Sequence, residues 1–229
     1  MFLSSDQVRL LAEAMPTDTD RLLVYTAAYT GLRAGELAAL RVRDVDLLRG
    51  TIHVHRALKS VDGPADNRGP VFGGPKTGKT RTVTLPRFLK AMLKDHLARP
   101  LPGGNGPDAL IFCNPMGGIW RHGLFMRRVW QPTIRGDKRR KIAPALPQEL
   151  HGLRFHDLRH TMASLLIAQG AHPKVIQDRL GHASITTTMN RYGHLFDGHD
   201  QPLLDGLDAA HATPPTNVTR LRKAEVSSS

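Results

Sequence analysis

Apolar positions Val8, Leu11 and Met15 recur at helical spacing, and Ser4 with Gln7 forms a capping box in front of them. A first helix is expected there. A second is expected over residues 19–30, stopped by Gly31, and a short third over 34–40. The period then changes. TIHVHRA (51–57) and RTVTL (81–85) alternate as strands do. The Gly/Pro-rich stretch 59–79 between them reads as a loop or hairpin turn, with one further short strand near Val71 and Phe72. Pro86 is expected at the first position of a helix, RFLKAMLKDHLA. LPGGNGPD (101–108) reads as a loop and ALIFC (109–113) as a brief extended run. A helix near 121–131, a basic Pro-containing connection over 132–153, and helices over 156–169, 173–180 and 184–192 complete the pattern. Beyond about 212 the chain contains PPTN and ends in SSS, so disorder is the expectation. The fold class is mainly α with a small antiparallel β-sheet (α+β).

A length of 229 residues suits one domain plus a tail. No apolar run approaches a membrane span, and MFLSSDQVRL has no basic leader followed by an apolar stretch. Cys113 is the single cysteine, which excludes an intrachain disulfide and a cysteine-based zinc cluster. The expectation is a soluble, cytoplasmic protein. A net charge of +12 suggests a polyanionic partner, nucleic acid above all. The charge is concentrated: Arg121, Arg127, Arg128, Arg135, Lys138, Arg139, Arg140 and Lys141 face only Asp137 within 121–141. These eight are the candidate DNA-contacting residues, with a solvated loop as the plain alternative.

Two motifs mislead. GGPKTGKT (73–80) matches a P-loop, but a P-loop must enter a helix whose N-terminus holds phosphate, and RTVTLP reads as a strand. HDLRH sets His156 and His160 four apart, yet it is not H-E-x-x-H and has no evident third ligand. Neither a nucleotide cofactor nor a metal is expected.

Six positions form a more informative set: Arg33 in TGLRAGEL, Lys76 in GPKTGKTRTVTLP, His156 and Arg159 in HDLRH, His182 in LGHAS, and Tyr192 in MNRYGHL. Taken singly, each has an ordinary structural reading. Together they suit metal-free attack on a phosphodiester. Arginine forks match the non-bridging oxygens, where charge grows in the transition state. Tyrosine titrates near ~10 and needs a base or cations to become a nucleophile. Histidines exchange protons near neutral pH, and a lysine can protonate the leaving oxygen.

These segments, in this order, resemble the signature segments of the tyrosine recombinases, or phage integrases, over roughly residues 1–200. The resemblance implies that Arg33, Lys76, His156, Arg159 and His182 surround the scissile phosphate and that Tyr192 is the nucleophile. Glu36 would support the arginine. It also implies a 3′-phosphotyrosyl intermediate, no ATP or metal, and exchange through a Holliday junction. The implied partners are double-stranded DNA, a homo-tetramer on paired sites (monomeric without DNA) and an accessory DNA-bending protein. The expected division is a catalytic domain over 1–200 and a C-terminal tail over 201–229 that docks on a neighbouring subunit. Nothing before Ser4 resembles the N-terminal domain that clamps the other face of DNA, so that domain is expected to be absent. Two alternatives are a type IB topoisomerase, which relaxes plasmid without sequence preference, and a non-catalytic DNA-binding module.

Overall fold

The computed structural model describes residues 1–60, 69–76, 78–196 and 200–212. Two compact units emerge, Met1–Leu195 and Phe196–Ser229. In the first, α1 (Ser5–Glu13) and α2 (Asp18–Thr30) begin at Ser4 and Thr17, whose hydroxyls accept from the Gln7 and Asp20 amides. The predicted capping box is present, with the Gln7 side chain reaching back to Ser4. Gly31 ends α2 in the left-handed region (φ 69°), where a side chain would also meet Met162. α3 (Ala34–Ala38) follows at once.

The β region departs from the expectation of one sheet. Strands β1 (Val45–Asp46), β2 (Thr51–Val54) and β5 (Arg81–Thr84) form one antiparallel sheet in the order β1-β2-β5. Strands β3 (Ala57–Ser60) and β4 (Val71–Gly73) form another. The run 51–57 is therefore not one strand. It breaks at His55, whose ring bonds Asp44 at 2.8 Å, and at Arg56, whose guanidinium lies 4.0 Å above the Phe72 ring. These side chains turn the backbone out of the first ladder. The expected strand at Val71 and Phe72 is β4, whereas residues 61–68 of the expected loop lie outside the described residues. Gly73 closes β4 and Arg81 opens β5, so the P-loop-like stretch enters a strand rather than a helix.

Pro86 stands one position earlier than expected, as N-cap of α4 (Arg87–Leu97). The run 109–113 forms no strand. Leu110 and Cys113 make single bridges to Arg41 and Ile119, while adjacent Ile111 and Phe112 are both buried, so burial does not alternate. The helix expected to end near 131 continues to Arg135: α5 (His122–Phe125), a π-helical turn (Met126–Trp130) and α6 (Gln131–Arg135) run on. Pro132 has no amide to donate, and a wider turn accommodates such a residue. Arg140 then donates to the Arg128 carbonyl at 2.8 Å, supplying that carbonyl with a donor.

Helix α7 (Asp157–Ile167) is the buried centre of the C-terminal part and packs on α2. Thr161 on it donates to the Asp157 carbonyl and accepts the Leu3 amide at 3.1 Å, fixing the chain start to the core. Helices α8 (Pro173–Leu180) and α9 (Ile185–Tyr192) follow as expected, capped by His172 and Ser184. In the second unit, α10 (Asp200–Ala212) leaves Leu204 and Leu207 exposed. The disorder expected beyond 212 falls outside the described residues. No helix among the described residues is long and apolar enough to cross a membrane.

Candidate active site

Helix ends build the site. The carboxyl ends of α2 and α8 meet the middle of the unit, and Arg159 from α7 reaches both. Its guanidinium donates to the Gly31 and Leu180 carbonyls. Carbonyls at a helix carboxyl end carry partial negative charge and favour a cation there. Arg159 is only 3 % exposed and forms no ion pair among the described residues. Burial first, and then facing Arg33, lower it to about 9, which leaves it a cation at neutral pH.

Arg33 is the N-cap of α3, two residues past Gly31. Its amide and guanidinium bond Glu36 at 2.8 and 3.2 Å. Glu36 is buried, and its other partner is Arg81 of β5, which grips both carboxylate oxygens at 3.0 and 2.7 Å. Burial pushes the Glu36 carboxyl up, but Arg81 and Arg33 outweigh it and hold the carboxyl below its ordinary range. Arg81 also donates to the Arg179 carbonyl at 2.9 Å and packs beside Gly181 (φ 63°), where a side chain would crowd it. One arginine thus ties β5 to α3 and to the turn that carries His182.

Tyr192, the last residue of α9, is 1 % exposed. Its hydroxyl lies 2.7 Å from His160 Nδ1. Burial raises the phenol above its ordinary value, while Arg159 and Arg191 pull it back. His160 is lowered to about 4 by burial and by the neighbouring His156 and Arg191. His182 is also lowered to about 4, by burial and by Arg159 and Arg33, and its Nδ1 meets Thr188 Oγ1 at 2.9 Å. His156, N-cap of α7, is lowered by burial, Arg159 and Arg33. All three imidazoles are therefore neutral at pH 7.

Five of the six expected residues converge: Arg33, His156, His182 and Tyr192 all lie within electrostatic reach of Arg159. Lys76 stands apart on an exposed turn closed by the Gly78 amide and the Pro75 carbonyl at 2.8 Å. Among the described residues no hydrogen bond or ion pair joins it to the other five. Sequence reasoning missed Arg81, Thr188 and the contact of His160 with the phenol. Arg81 carried a signal, because it shares strand parity with apolar Val83 and Leu85 and so points inward. His160, four residues from His156 at a spacing that would also suit a metal, is instead bonded to Tyr192.

The eight basic residues of 121–141 are all exposed. Arg135 donates to the His151 carbonyl at 2.9 Å, and Arg140 to that of Arg128. The segment starts close to the site, since the His122 ring packs edge-on at 5.6 Å against Phe155, the neighbour of His156.

Residues 1–199 match the phage integrase family. The ICEBs1 integrase of Bacillus subtilis is 32% identical over 195 residues, which cover 80% of this chain and 47% of that protein. Among solved structures, the Tn1549 transposon integrase in complex with transposon right end DNA superposes with a TM-score of 0.68 at 22% identity, covering 91% of this chain and 66% of that one. The catalytic domain of bacteriophage HP1 integrase superposes at 0.53 and 21% identity, covering 93% of this chain and 98% of that one. The chain spans about half the length of the curated relatives it matches. On the match over residues 1–199, this chain belongs to the phage integrase family.

Proposed function

We propose that this chain is the catalytic part of a site-specific DNA recombinase that cleaves and rejoins DNA through a 3′-phosphotyrosyl link. One observation carries the reading: a buried tyrosine lies beside an arginine that forms no ion pair among the described residues. A phosphate completes such a site electrostatically. Arg33, Arg159 and His182 hold the non-bridging oxygens, with two planar guanidinium forks matching the phosphate. His156 manages protons beside them. Tyr192 attacks phosphorus, and Lys76 protonates the leaving 5′-oxygen once DNA draws its turn inward. The bond energy stays in the phosphotyrosine, so a 5′-hydroxyl from a second duplex reverses the step without ATP or metal.

Double-stranded DNA is the substrate, in keeping with the DNA-bound transposon integrase of the same fold. The reaction belongs in the cytoplasm, on paired sites held by four copies, with an accessory DNA-bending protein. Residues 1–200 form the catalytic unit, and 201–229 dock on a neighbouring copy. The exposed basic residues of 121–141 contact backbone phosphates.

Covalent capture tests this. The chain is incubated with a randomised pool of nicked duplexes, whose released short strand cannot return, and protein–DNA adducts are isolated under denaturing conditions. Adducts are expected with the unaltered chain and none with Tyr192→Phe. Adducts that survive Tyr192→Phe, or a complete lack of adducts, would overturn the reading.

A further inference from the structure

We propose that His160 accepts the phenolic proton of Tyr192 as that oxygen attacks phosphorus, a role that rests on the cleavage reaction proposed above. The geometry is direct. Nδ1 and the hydroxyl are 2.7 Å apart, within reach for proton transfer. The phenol's one proton can be donated to an unprotonated Nδ1, which is the tautomer this role requires. Solvent cannot serve instead, because Tyr192 is 1 % exposed. The other two histidines are otherwise engaged. His182 spends Nδ1 on Thr188. His156 packs edge-on against His160 at 5.2 Å, and no hydrogen bond joins it to the phenol among the described residues. His160 follows Arg159 directly on α7, so one helix sets both the phosphate-binding guanidinium and the proton acceptor.

In the step, the Tyr192 O–H bond breaks and a His160 N–H bond forms. The tyrosyl oxygen bonds phosphorus, the bond to the 5′-oxygen breaks, and that oxygen takes a proton from Lys76. Religation returns each proton. Transfer is concerted with attack, because the phenolic proton becomes acidic as the O–P bond forms. Groups facing His160 set its basicity: His156, Arg191 and the Met1 amino group oppose its charging, and Asp157 favours it. An arriving phosphate adds negative charge beside it and raises its affinity for a proton.

The test uses a duplex recovered by covalent capture and the variant His160→Asn, whose amide oxygen can accept the phenol's hydrogen bond but cannot take its proton at neutral pH. Single-turnover adduct formation at pH 7 is expected to fall roughly 100-fold or more. Its rate should then climb about tenfold per pH unit toward the phenol's range near ~10, while the unaltered chain plateaus earlier. A control separates chemistry from misfolding. In a Tyr192→Phe background, joining of a 5′-hydroxyl strand to a 3′-p-nitrophenyl phosphate end uses the phosphate site without the phenol, and adding His160→Asn should leave that rate unchanged. Nitrogen NMR on the free chain gives a DNA-independent check: Nδ1 of His160 should be unprotonated and should shift in Tyr192→Phe. A protonated Nδ1, or an unchanged pH–rate profile in His160→Asn, would overturn the assignment while Tyr192→Phe still abolished adducts. Adducts persisting in Tyr192→Phe would instead remove the cleavage reading itself.

Discussion

Two arginines are buried among the described residues, and their surroundings are opposite. Arg41 is 7 % exposed and is met by carboxylates: Asp44 at 3.3 Å and Asp108 at 2.8 Å, with His55 against the same group. Its charge is spent inside the protein. Arg159 is 3 % exposed, donates to two carbonyls and forms no ion pair among the described residues, so its charge is held in place without a direct carboxylate partner. Burying a charge is costly unless it is paired. The first cluster pays that cost internally, whereas the second defers it to an anion from outside. A buried cation without a carboxylate is therefore a better mark of a phosphate site than a buried cation as such.

The contrast can be broken from either side. The largest effect is expected from Arg41→Ala, which strands the Asp44 charge and should cost on the order of 3–5 kcal/mol of stability. Denaturant unfolding would measure it, and adduct formation per folded molecule should hardly change. Arg159→Ala should lower adduct formation about 10²–10³-fold, the range for losing one transition-state donor. Sulfate should raise the Tm of the unaltered chain and of Arg41→Ala, but not that of Arg159→Ala. Loss of the sulfate effect in both variants would erase the distinction between the two clusters.

Acid supplies a third, smaller test. His160 and His182 bind protons at about 4 in the folded chain, against ~6.5 when unfolded. Between those values the unfolded chain holds more protons, so stability falls as pH drops from 6.5 toward 4 and is fully present above 6.5. Thermal melts should show this slope, and His160→Asn with His182→Asn should flatten it. A slope that persists in the double variant would assign it to the carboxylates instead. Smallest of all, Lys138→Glu or Arg139→Glu in the exposed basic segment should weaken DNA binding alike on all sequences. Each should reduce the salt slope by about 1 for the lost phosphate contact. An unchanged slope would make this segment a solvated surface.

The sequence by itself determined what rests on neighbours along the chain. Ser4 with Gln7, Thr17 and Gly31 bound helices through contacts a few residues long, and these appeared nearly where expected. The order of motifs also named five residues that do converge. What crosses the chain was not legible. The run 51–57 split because His55 and Arg56 found partners in other elements. Glu36 was expected to serve Arg33, yet its tighter grip comes from Arg81, 45 positions away. Tyr192 was recognisable as a tyrosine in the right motif, but its partner, 32 positions back, was decided by the tertiary arrangement that brings the end of α9 to α7. Local signals act through short-range hydrogen bonds and backbone preference. Which side chains meet in the dry interior depends on how the helices pack, and that is settled only when the whole core closes.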